Sequence, residues 1–280
     1  MVSHLKLGDF VDICLMHAGA KRAKSLGSLG DVLRAYAHGT IFGESYGEGP
    51  VRVVWLHGWG RSGSDFAQSA SVLALKGVAS ISLDFPGFGS SPAPSQAGGA
   101  RLYAELISPA LREIAEGPVV LVGHSFGGRV ASVIASEYPE LVAGVLFTGA
   151  PLVRRKSGGK SPFKFRVIKK ARALGLVSEA RLERARRTYG SLDYRTAQGI
   201  MRDVLVATVN ESYESELAKI TQPVRALWGA NDRDVPTEIA ERSLSLIPGP
   251  HHLRVLSEVG HLVPTTAPNE LAAETELLVK

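Results

Sequence analysis

Residues 119–132, VVLVGHSFGGRVAS, constrain the chain more than any other stretch. Residues 119–122 are apolar and mostly β-branched, the composition of a strand buried on both faces of a parallel sheet, and residues 129–138 have the composition of a helix. A strand that turns into a helix over so few residues forces its corner residue, Ser125, into a strained backbone conformation. Side chains two positions to either side would collide there. Gly123 and Gly127 occupy those two positions, and the corner lifts a serine hydroxyl above the end of the strand.

The rest of the chain supplies a sheet for that strand. Apolar runs at 51–57, 78–84, 142–148, 224–228 and 253–257 read as strands. The segments 65–76, 100–116, 127–138, 236–247 and 268–279 read as helices between them. This alternation predicts the α/β class, a doubly wound and mostly parallel sheet. TIFGESYGEG (40–49) reads as an antiparallel hairpin at the start of the sheet, and residues 1–38 as an N-terminal extension, with a helix packed on the body as one form it could take. The rhythm breaks at 151–222, where a Gly/Ser/Pro-rich entry leads into helical patterns with few strand signals. The chain therefore divides into a core of 39–150 and 223–280 and a helical insertion of 151–222.

The pattern G-x-S-x-G at 123–127, placed between strand and helix, resembles the nucleophile elbow of the α/β-hydrolases. In an open parallel sheet, catalytic groups gather at the carboxyl ends of strands, and this sorts the remaining candidates. His261, in LRVLSEVGHLVP, follows the last strand, whereas His251 and His252 precede it; His124 reads as a packing residue turned away from the corner. Asp232, in VRALWGANDRDVP, follows its strand, and the order Ser125, Asp232, His261 is the order of this fold, with Asp234 a rival for the acid. Asp84 opens DFPGFGSSP, which resembles the family's turn after an early strand, and is expected to hydrogen-bond that loop. HGWG (57–60) follows another strand, so that the amides of Trp59 and Phe126 are the expected oxyanion donors. His57 is not expected to be catalytic. The resemblance also implies that the insertion is a cap over the active site.

Composition narrows the function. Cys14 is the only cysteine, which excludes an intrachain disulfide and reads as a small buried hydrophobe. FVDICLM (10–16) is a poor signal peptide, because its basic residues follow the apolar run. No apolar run is long enough to span a membrane, so a cytoplasmic protein is expected. Residues 151–222 carry 16 Lys and Arg against 7 Asp and Glu, while the remainder of the chain has 16 against 20. A solvated basic face, attraction of an anionic substrate and attraction of an acidic surface are all open readings; nucleic acid is the least favoured partner, since no recognition motif accompanies the charge.

The expected activity is hydrolysis of a small-molecule carboxylic ester by Ser125, His261 and Asp232, without a cofactor. A serine nucleophile sets the chain apart from the aspartate-dependent members of the fold. Two alternatives stay open: a carbon–carbon bond hydrolase of ring-fission dienoates, which GANDRDVP also resembles, and a ligand-binding receptor of the same fold with slow turnover. The sequence does not determine the oligomeric state.

Overall fold

The computed structural model describes residues 33–154, 167–168, 170–172, 174–189 and 192–279. Cys14 and most of the N-terminal extension lie outside them. Eight strands form one sheet: β1 (Leu33–Tyr36), β2 (Ile41–Tyr46), β3 (Val51–Leu56), β4 (Ala79–Asp84), β5 (Val119–His124), β6 (Val142–Thr148), β7 (Val224–Gly229) and β8 (His251–Leu256), in the order β1-β2-β4-β3-β5-β6-β7-β8. From β4 to β8 every pairing is parallel; β1 and β2 are antiparallel additions at one edge.

β5 is central because its side chains suit burial on both faces. Val119, Val120, Leu121 and Val122 are all buried, alternating between one face, packed by α2 (Ala100–Ile114) and α3 (Phe126–Glu137), and the other, packed by α1 (Ala67–Leu75) and the helix Pro268–Glu276. At about 1.5–3 kcal/mol for each fully buried aliphatic side chain, this strand alone stabilises the core substantially. Amphipathicity seats α2, whose Tyr103, Ala104, Ile107 and Leu111 recur at helical spacing and are buried.

The strand order decides where the site can lie. From β3 the chain goes outward to β4, then returns across β3 to β5 and proceeds the other way. The loops leaving β3 and β5 thus part in opposite directions, opening a crevice at their carboxyl ends. Both HGWG and the Ser125 corner border it.

The hairpin expected at 40–49 is not there. Residues 41–46 are one strand, paired on one side with β4 and on the other with β1, which falls within the stretch read as extension. The turn lies instead at 37–40, where Ala37, His38 and Gly39 all take positive φ. An exposed four-residue edge strand carries too little apolar pattern to be recognised.

Between β6 and β7 the described residues form α4 (Glu179–Tyr189), α5 (Leu192–Thr196), α6 (Gly199–Asn210) and α7 (Glu214–Leu217). The insertion is tied to the core side of the crevice. Met201 packs over Gly87, where any Cβ would lie 2.3 Å from its sulfur, and Glu211 accepts the first N–H of α2, that of Ala100, at 2.8 Å. Arg155 and Lys156 lie outside the described residues, as do the side chains of Arg186 and Arg187. No helix of the described residues is long and apolar enough to cross a membrane.

Candidate active site

Ser125 stands at the corner between β5 and α3 with φ 50° and ψ −108°, a conformation that side chains seldom adopt. The neighbouring glycines make it attainable. A Cβ on Gly127 would lie 2.0 Å from the Leu56 carbonyl oxygen, and one on Gly123 would lie 2.6 Å from that of Gly127. The Ser125 N–H donates to Thr148 O at 2.9 Å, which fastens the corner to the end of β6.

Two other loops meet beside it. Gly229, ending β7, lets the carbonyls of Val259 and Gly260 approach to 2.3 Å from where a Cβ would stand, and the Asn231 N–H donates to Val259 O at 2.9 Å. The close backbone contact brings Asp232 and His261 together. His261 Nδ1 lies 2.8 Å from Asp232 Oδ2, and Asp232 Oδ1 accepts the N–H groups of Val235 at 2.8 Å and Asp234 at 3.0 Å. Asp232 is buried with three hydrogen bonds; Asp234 is exposed and joins the cluster only loosely, one donor atom from each of the three residues falling within 4.8 Å of the others. That grouping is the one set of metal-ligating type among the described residues, but both Asp232 oxygens are already engaged.

The His261 ring packs against Gly149, where a Cβ would come within 2.9 Å, just past the residue that holds the Ser125 amide. The Ser125 hydroxyl makes no hydrogen bond to His261 in this arrangement; such contacts commonly tighten only when substrate is bound.

The HGWG loop lies against the same corner. A Cβ on Gly58 would meet Ser125 Cβ at 3.4 Å, so the chain passes beside the serine just before Trp59. The N–H of Phe126 opens α3 and has no acceptor within the helix. His57 holds the loop in place: Nδ1 donates to Gly58 O at 2.7 Å and Nε2 accepts the Phe85 N–H at 3.0 Å. A carbonyl can only accept and an amide can only donate, which sets the neutral tautomer. Burial lowers the His57 pKa to about 4.

His124 is buried as a packing residue, yet it packs on His261 itself, with ring centres 4.9 Å apart. Burial, followed by the charge of His261, pushes its pKa down to about 3. Asp84 does what its loop position suggested, accepting from Gly63 N at 2.8 Å and Ser90 N at 2.7 Å. The aromatic wall was not foreseen. Trp59 meets Phe88 and Phe126 edge-on, and Phe126 meets Phe85 and Tyr103, at centroid distances of 4.9 to 5.7 Å. FPGF at 85–88 was the available signal.

Similarity to known proteins follows the same outline. A family model described as the alpha/beta hydrolase family matches residues 53–274. A 2-hydroxy-6-oxononadienedioate/2-hydroxy-6-oxononatrienedioate hydrolase of Cupriavidus pinatubonensis is 25% identical over 77% of this chain and 82% of its own length. An esterase of Mycobacterium tuberculosis is 32% identical over 51% of this chain and 47% of its own length. Among solved structures, an esterase from Exiguobacterium antarcticum superposes with a TM-score of 0.68 at 22% identity, over 88% of this chain and 98% of that one, a likeness of fold. With a model match that spans most of its length and the strand order and corner described above, the chain belongs to the alpha/beta hydrolase family.

Proposed function

We propose that the protein hydrolyses small-molecule carboxylic esters through an acyl-enzyme formed on Ser125. The observation that carries this reading is the 2.8 Å contact between His261 Nδ1 and the buried Asp232 carboxylate, beside a serine held at a strained corner. With Nδ1–H directed at Asp232, the other ring nitrogen presents a lone pair. In the first step it removes the Ser125 proton as Oγ attacks the ester carbonyl, and Asp232 stabilises the imidazolium that results. The carbonyl electrons move to an oxyanion received by the N–H groups of Trp59 and Phe126, each worth on the order of 3 kcal/mol when well placed. Collapse expels the alkoxide, which takes the proton from His261. Water then repeats the sequence on the acyl-enzyme, releasing the acid and regenerating Ser125. Helices α4 to α7 form the cap that shapes the pocket.

Turnover of short-chain p-nitrophenyl esters, with a fluorophosphonate probe placed on Ser125 by mass spectrometry, tests this proposal. An adduct elsewhere, or no ester turnover by folded, unlabelled protein that the probe can modify at Ser125, overturns it. A second reading, cleavage of a carbon–carbon bond in a ring-fission dienoate, is favoured by the Cupriavidus relative, which aligns over more of the chain than the esterase does. Assay of a 2-hydroxy-6-oxodienoate in parallel with the esters separates the two.

A further inference from the structure

Arg129 lies one turn of α3 beyond Ser125, half-buried, and forms no ion pair with a carboxylate among the described residues. Nη1 donates to Thr208 O at 2.8 Å, near the end of α6, while Nε is closed off from solvent with no hydrogen-bond partner. Burial holds its pKa below the ordinary arginine value. Glu211, the acid whose charge reaches it, is committed elsewhere: Oε2 accepts both the Ala100 N–H and the Tyr213 hydroxyl, each at 2.8 Å. A planar fork of five N–H donors in such a place is matched to a carboxylate or phosphate.

Arg129 also lines a cavity of about 400 Å³. Its apolar wall includes Val153, Val235 and Ile239; the exposed Arg154, which donates to Asn210 O at 2.7 Å, is a second cation, and two acids also line it, Glu211 and, on the side toward His261, the exposed Asp234. The volume suits a short chain, and its wall carries the Arg129 charge, which interacts with Thr208 O, the Tyr213 hydroxyl and the field of Glu211 but has no ion-pair partner among the described residues. We infer that this cavity binds the anionic end, carboxylate or phosphate, of a small elongated molecule on the Arg129 guanidinium. Because Val235 donates directly to Asp232, a ligand there rests against the loop that orients His261. The anion is carried either by the substrate, in which case the inference deepens the proposed esterase reading and rests on it, or by a separate small molecule.

Two measurements on the full chain distinguish these cases. In the first, thermal unfolding is followed as glutarate or inorganic phosphate is titrated in at constant ionic strength. Wild type is expected to show a saturable rise of several degrees in Tm, absent in Arg129→Gln. Val153→Phe, which fills the cavity and leaves the charge in place, should also lose the rise, and it serves if Arg129→Gln does not fold. In the second, kcat/KM is compared for the p-nitrophenyl monoester of glutarate and its neutral methyl ester. A preference of about tenfold for the charged ester in wild type, falling to about one in Arg129→Gln, places the anion on the substrate. Saturable stabilisation without that preference assigns the cavity to a separate anion. If neither ester is hydrolysed while the Tm rise persists, the esterase reading fails and the cavity stands. No saturable rise in wild type, or one that survives both substitutions, overturns the inference.

Discussion

The N–H of Phe85 donates to Nε2 of His57 at 3.0 Å, joining the loop after β3 to the end of β4 through a ring that must stay neutral. Protonating the ring would aim two N–H groups at each other in a buried site. His57 and His124 both have folded pKa values far below the ordinary 6.5, about 4 and about 3. Between those values and 6.5 the unfolded chain binds more protons, so stability rises with pH across that window. Their contribution is complete above about 6.5 and lost as pH falls toward 4 and 3. At about 1.4 kcal/mol per unit, these shifts are worth on the order of 3 kcal/mol for His57 and 5 kcal/mol for His124. Urea midpoints measured from pH 4.5 to 8 should climb to about 6.5 and then level off. A midpoint independent of pH below 6.5 would contradict the neutral bridge.

Gly127→Ala should unfold the protein or cost several kcal/mol, since the new methyl would lie 2.0 Å from backbone that has no room to move. Gly117→Ala meets nothing within 4 Å and should change stability by less than about 1 kcal/mol. Denaturant melts of the pair check this, and equal effects would mean that the corner is not as tightly packed as described.

Asp232→Asn should lower kcat by about 10³ to 10⁴, because the amide disturbs both the tautomer and the charge that His261 needs. Asp234→Asn, at an exposed carboxylate with no hydrogen bond to the ring, should cost less than about tenfold. Steady-state kinetics on one ester decides the order. The reverse order moves the acid to Asp234.

The elements legible in the sequence were those whose physics is local. The β-branched run at 119–122 suits a buried strand, and Gly123 and Gly127 announce a corner where any Cβ would strike backbone. The meeting of Asp232 and His261 follows from the rule that loops at strand ends converge, and the glycine that allows their approach, Gly229, stands in the motif itself. What escaped depends on long-range packing. β1 borrows its identity from β2, so its own exposed residues carry no signal. His124 packs in the core, but its ring stays at the corner, beside Gly58 and against His261, instead of turning away from it, and no local pattern says so. Arg129 reads as an ordinary helix residue until α6 and Glu211 close over it.

The proposed hydrolysis needs the Ser125 hydroxyl as its nucleophile, and Ser125→Ala removes that group alone. The substitution removes one oxygen from a partly buried site and should leave the thermal unfolding curve within a few degrees of wild type. Turnover of a p-nitrophenyl ester should fall at least 10³-fold and fluorophosphonate labelling should vanish, leaving only what binding and the oxyanion donors supply. A folded Ser125→Ala protein that keeps turnover near the wild-type rate would mean that Ser125 is not the nucleophile.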